Sequence, residues 1–212
     1  MTSKEVLLAA LLFGAAYAGG TYAQTEKPAS AVVAAEETKV YEAFLNSWRG
    51  KDRVLLNVAA KPEPITKHDL EEFASCAGKQ SKWVPRTSNV SLASQLSKLA
   101  WVRVVDPATW QANDPEDLIA KGTPVDKAVD RGFSKALLTL STVAFDVSGH
   151  FAALNYSFVC GRLCGNGGAV LFERNGHSWV RSNKQCGNWM SLERRPNNSF
   201  EADGYAAAQL QH

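Results

Sequence analysis

Between residues 137 and 183 the chain alternates β-prone apolar runs with short turn signals, and no other feature narrows its fold as much. LLTLSTVAFD is followed by VSG and then by HFAALNYSFVC, so strands at 137–145 and 150–160 are expected to form a hairpin across Asp146 to Gly149. The loop GRLCGNGG leads into AVLFER, and Asn175-Gly176 supplies a type I′ turn into HSWVRS, giving strands at 168–174 and 177–183. Within 150–160, Ala152, Leu154, Tyr156, Phe158 and Cys160 fall on one face, while Asn155 and Ser157 fall on the other. The pattern predicts a four-stranded antiparallel sheet in the C-terminal half.

The first half reads mainly as helix. Val40, Phe44, Leu45 and Trp48 recur at helical spacing up to Gly50, and Thr66 with Asp69 three residues on marks the start of a helix that runs to about Ala77. Short strands are expected at 55–59 and 101–105, a polar stretch at 78–91 and a helix at 92–99. Pro107, Pro115 and Pro124 break up residues 106–135. Helices of this half should cover the apolar face of the sheet, which makes the fold class α+β.

The N-terminus carries its own signal. Lys4 precedes the unbroken apolar run VLLAALLF, and small residues follow at Ala16-Tyr17-Ala18 and Thr21-Tyr22-Ala23. That is the layout of a secretory signal over residues 1–23, with cleavage after Ala18 or Ala23, and the run is too short to span a bilayer. Residues 24–36 are Ala-rich and Pro-interrupted and read as a linker, residues 37–192 as a single domain, and 193–212 as a loosely ordered tail. An exported chain, periplasmic or secreted, with no transmembrane segment once mature is the expectation. The hydrophobic content of 45% and six tryptophans suffice for one full core. With a net charge of +2 and no clustered basic stripe, nucleic acid is not an expected partner.

Four cysteines in an oxidising compartment point to disulfides, and four admit three pairings. Gly161 and Gly165 allow a tight turn that brings Cys160 and Cys164 into bridging range, which leaves Cys76 for Cys186. The alternative is that Cys160 reaches Cys186 from a neighbouring strand. Cys160 and Cys164 are one residue too far apart for a C-x-x-C redox or zinc motif, although His150 and His177 keep a Cys/His zinc site in view. His68 and Glu72 share a helix face at i, i+4, a spacing that suits an acid-base pair as well as a solvated capping turn. The glycines of CGNGG suit either an anion-binding nest or a tight hairpin connection. No G-x-S-x-G elbow and no phosphate loop is present, and Trp48, Trp101 and Trp179 sit where core packing is the usual role.

The segment LSTVAFDVSGHFAALNYSFVCGRLCGNGGAVLFERNGHSWV resembles the closing module of a family of uncharacterised exported bacterial proteins. Their pattern is a Leu-Ser-x-Val-x-Phe strand, an Ala-Leu-x-Tyr strand, a Cys-Gly-x-x-Cys-Gly turn and a final strand ending Gly-x-Trp-x-Val. The chain departs from it by one extra residue in Gly176-His177-Ser178-Trp179. The resemblance implies a recurring sheet scaffold and brings no catalytic, cofactor or metal residues. Together the readings predict an exported, disulfide-stapled α+β domain that binds an unknown ligand or envelope protein without catalysis. The alternative is a periplasmic hydrolase with an acid-base pair around His68.

Overall fold

The computed structural model describes residues 29–48, 55–78, 82–86, 88–111, 113–184 and 186–190. The expected signal at 1–23, the start of the linker and the tail at 193–212 lie outside the described residues.

Helix α1 spans Ala29–Trp48, so residues 29–36, expected as spacer, are already helical. Ala34, Glu37, Val40, Tyr41, Phe44 and Leu45 are buried along it, at the i, i+3, i+4, i+7 intervals of one helix face. Helix α2, Lys67–Ala77, begins in a capping box: the Thr66 side chain accepts the Asp69 N–H, and the Asp69 carboxylate accepts the Thr66 N–H at 2.7 Å. It ends at Gly78, whose φ of +68° is the left-handed cap that glycine adopts without steric cost. Three shorter helices follow: α3, Leu92–Gln95, α4, Pro115–Ala120, and α5, Val125–Ser134. Helix α4 starts with Asp114 as N-cap and Pro115 in the first turn, where a missing N–H costs nothing.

The sheet corrects the expected four-stranded antiparallel arrangement. Among the described residues, nine strands form one mixed sheet: β1 Leu56–Ala59, β2 Trp83–Arg86, β3 Val102–Val105, β4 Leu137–Leu140, β5 Val143–Asp146, β6 Phe151–Gly161, β7 Cys164–Asn175, β8 Ser178–Arg181 and β9 Asn188–Met190. Its spine is the antiparallel hairpin of β6 and β7, and each outer edge of this hairpin is shared by two partners. On the β6 side, β4 pairs with residues 156–159 and β5 with 152–153. On the β7 side, β8 pairs with residues 172–175 and β9 with 166–168. The expected strand at 137–145 is therefore two strands. Ser141 interrupts it: its Oγ accepts the Asn155 N–H at 2.8 Å, and the chain bridges to Glu63 instead. β4 then carries β1, which lies parallel to both β4 and β3, while β5 carries β2. Parallel neighbours need long crossovers, and the helical segments between β1, β3 and β4 provide them. Nothing local in VLLNVA or WVRVV states whether such a strand joins the sheet or lies apart from it.

Apolar residues fill both faces of the sheet, because β6 and β7 alternate. Ala152, Leu154, Phe158, Cys160, Val170 and Phe172 face α1 in the larger core, with Trp179 and the β4 residues Leu138 and Leu140. Phe151, Ala153 and Leu171 face α2 in the smaller one, against Phe73, Ala77 and Trp83. Glu36 ties α1 to the far sheet edge: its carboxylate accepts from Trp179 Nε1 at 3.1 Å, pairs with Arg174 at 2.8 Å and with Lys39 at 2.7 Å.

A candidate ligand cleft beneath the disulfide-bound β9 segment

Residues 160–168, with two cysteines and four glycines, resolve into a hairpin end and a floor. Gly161 pairs with Cys164 across a two-residue turn, and the Cys160–Cys164 disulfide closes it. Asp114 anchors that turn to α4, accepting the Arg162 N–H and pairing with its Nε, both at 3.0 Å. The glycines that follow are not the turn. Gly165 and Gly167 lie in β7, paired with Val159 and Ser157 of β6. A Cβ on Gly165 would stand 2.7 Å from the Phe158 carbonyl oxygen, and one on Gly167 would enter the Trp189 indole and come within 2.5 Å of the Tyr156 carbonyl. One on Gly168 would strike Gly187 and Asn188. The missing side chain of Gly165 lets β6 approach, and those of Gly167 and Gly168 let β9 lie against β7, with the Ala169 N–H donating to the Gly187 carbonyl at 2.9 Å. Against the two sequence readings, an anion nest or a tight connection, the structure gives a close-approach role.

The second disulfide joins Cys76 in the last turn of α2 to Cys186, a sequence separation of 110. Cys76 stands one helical turn beyond Glu72, and Cys186 directly precedes Gly187, which is pressed against the Glu72 carboxylate. The bridge therefore fastens the β9 segment over α2. Between them opens a cleft of about 360 Å³.

Four parts of the chain build its lining. On the α2 face of the sheet, Phe151 and Ala153 are covered by the helix, but the same row continues past the helix N-terminus as Asn155 and Ser157, with Thr139 of β4 beside them. Helix α2 contributes Asp69 and Glu72, and the loop after β1 contributes Glu63. Gly187, Asn188 and Trp189 form the opposite wall. Asn155 Nδ2 donates to Asp69 Oδ1 at 2.8 Å, which locks strand to helix across the cleft. Partial burial pushes the Asp69 carboxyl up, but hydrogen bonds from Thr66 and Asn155, with the nearby His68, outweigh it and hold it below the ordinary carboxylate range. Asp69 is thereby a fixed anion. Trp189 is 45% exposed, so one side of its indole rests on the glycine floor while much of the ring remains open to solvent. None of the described lining residues is a lysine, arginine or histidine.

Of the sequence candidates, Glu72 lines this cleft and His68, on the exposed side of α2, does not. His150 is exposed just before β6, and His177 is exposed in the turn after β7, at the opposite end of that strand from Cys164. All four cysteines are in disulfides, so none of their sulfurs is a thiolate ligand for zinc. Trp48 and Trp101 pack partly buried against the main core, and Trp179 is buried in it. Sequence reasoning passed over Glu63 and Trp189. It noted Asn155 and Ser157 only as the polar face of a strand, which was the available signal: two polar residues in a row that is otherwise apolar.

No family model, no curated protein and no solved structure matches this chain. Among the described residues, no helix is long and apolar enough to cross a membrane. The two disulfides are consistent with a domain that works in an oxidising compartment.

Proposed function

We propose that this chain is a non-catalytic binding domain, exported to the periplasm or the cell exterior, whose ligand enters the cleft between α2 and β9. The observation that supports it best is the cleft's construction. A polar floor on a rigid sheet face is walled by an element that a long-range disulfide holds in place, so the pocket is organised before any ligand arrives. Glu63, Asp69 and Glu72 make the lining acidic, which repels anions and suits a polar ligand that is neutral or cationic. Trp189 adds a flat apolar surface against which a sugar ring or an amine-bearing chain packs. Kinship with the uncharacterised exported bacterial proteins belongs to this proposal and adds no activity to it. No observation favours the hydrolytic alternative around His68, which lies outside the cleft lining.

Calorimetric titration of the whole protein against amines, neutral saccharides and dicarboxylates tests the reading. An amine or saccharide should bind saturably, dicarboxylates should not, and Glu72→Ala with Asn155→Ala should abolish the signal. Binding that survives both substitutions, or turnover of the bound compound, would overturn it. Export is checked separately: protein from the native host should begin at Gly19 or Gln24 by mass spectrometry, and intact Met1 material in the cytosol would count against it.

A further inference from the structure

Among the described residues, helix α5 is held to the body by one face and leaves another uncovered. Its buried residues are Ala128 and Gly132. Gly132 is required there, since a Cβ would come within 2.6 Å of the Pro115 side chain and 3.2 Å of the Cys160 carbonyl oxygen. Next to this narrow seam, Val125, Val129 and Phe133 follow one another at i, i+4 and i+8, exposed by 62%, 36% and 50%. Phe133 stacks on Phe158 with ring centroids 5.8 Å apart, so the stripe is anchored to the main core at one end and open along its length. A soluble helix ordinarily turns such a row inward, and a contiguous apolar row left outside marks a contact surface.

The charges beside the stripe define what fits it. On a 3.6-residue repeat, Asp126 and Asp130 run along its outer border, while Lys127 and Arg131 lie round the helix on the far flank. The border on the other side is the buried seam. Of the residues of α5 itself, the exposed valines and phenylalanine therefore carry one charged rail, and it is acidic. We propose that Val125, Val129 and Phe133 form a docking surface for a protein segment presenting apolar side chains flanked by Lys or Arg. A second copy of the chain fits poorly, because a two-fold, antiparallel pairing of α5 with itself sets the two aspartate rails against each other. An anionic membrane surface meets the same rail first and is repelled. An amphipathic helix with a basic border matches both features, the usual way a helix recognises such a surface.

The test uses the full chain and two labelled helical peptides with identical leucine spacing, one with lysine and one with glutamate at every polar position. By fluorescence anisotropy the Leu/Lys peptide should bind saturably and at least about tenfold more tightly than the Leu/Glu peptide, the factor that 1.4 kcal/mol represents. Val125→Ser with Val129→Ser should weaken it by about as much. Both valines are exposed, so the melting temperature of this variant should stay near that of the parent. Asp126→Lys with Asp130→Lys should turn the preference toward Leu/Glu. Equal affinity for both peptides, absence of saturable binding, or binding indifferent to the valine substitutions would overturn the proposal. So would a dimer in sedimentation that the valine substitutions dissolve, or capture by phosphatidylglycerol vesicles that they abolish, since these assign the stripe to a second copy or to a membrane.

Discussion

Replacing Cys76 and Cys186 together by alanine should cost far more stability than replacing Cys160 and Cys164. The two bridges differ chiefly in the loop they close, with sequence separations of 110 and 4. In the chain-entropy treatment a cross-link removes about 2.1 + 1.5R ln n cal/mol/K of freedom from the unfolded chain, which comes to about 5 kcal/mol for the long bridge and about 2 kcal/mol for the short one. For a domain of this size each kcal/mol moves the melting temperature by about 2–4 °C, so the long bridge should be worth roughly 10–20 °C and the short one less than half of that. The consequences should also differ in place. Cys186 precedes the Gly187, Asn188 and Trp189 wall, so its loss should raise amide exchange in β9 and around Gly167, whereas loss of the short bridge should loosen the turn at Arg162. Differential scanning calorimetry of the two double variants, with amide exchange by mass spectrometry, provides both readouts. If the two variants melt together, or if exchange in β9 is unchanged without Cys76 and Cys186, the long bridge does not hold the cleft wall and the reasoning fails.

Three further outcomes are expected. Gly167→Ala should lift Trp189 and β9 from the sheet, because the new methyl occupies the place of the indole; loss of amide protection at Asn166 and Gly168 would show it, and unchanged protection would contradict it. Phe158→Ala should cost about 3–5 kcal/mol in urea unfolding, since the ring is buried and packs against Trp48 and Phe133; a loss under about 1 kcal/mol would mean the site collapses without a cavity. Burial pushes the Glu37 carboxyl above its ordinary value of 4.5, with Ser88 and Gln95 only partly offsetting it, so the folded state holds the proton more tightly and stability from this group is lost as pH rises above 4.5. Glu37→Gln retains an acceptor for the Ser88 N–H at 3.3 Å and should gain in melting temperature over the parent across that range, with the two converging below pH 4.5; parallel curves would refute it.

Local chemistry was legible wherever a few neighbouring residues decide the outcome. The Thr66 and Asp69 capping box, the end of α2 at Gly78 and the alternation along β6 are each set by contacts within one or two turns of chain, and each stands in the structure where the residues indicate, whereas the turn expected at Asn175-Gly176 falls one residue later, at Gly176-His177, because Asn175 still pairs with Ser178. The extent of the sheet was not legible. β2 fell in a stretch that reads as polar loop and contains Pro85, which is tolerated because β2 is an edge strand paired only with β5. β9 is three residues long and has room only because Gly167 and Gly168 of β7 carry no side chain. Parallel pairing of β1 with β3 and β4 depends on where long crossovers return, and strand sequences alone do not encode their partners. The cleft follows the same division. Its floor, Asn155 and Ser157, was visible as a polar interruption of an apolar strand, but Glu63, Glu72 and Trp189 converge on it only after α2 has crossed the sheet and Cys186 has been drawn back to Cys76. The sequence alone determined periodicity, caps and turns because these are short-range balances of sterics and hydrogen bonds. Partners distant along the chain were decided by tertiary structure, because their contacts form only where burying both faces of one sheet outweighs the entropy of closing long loops.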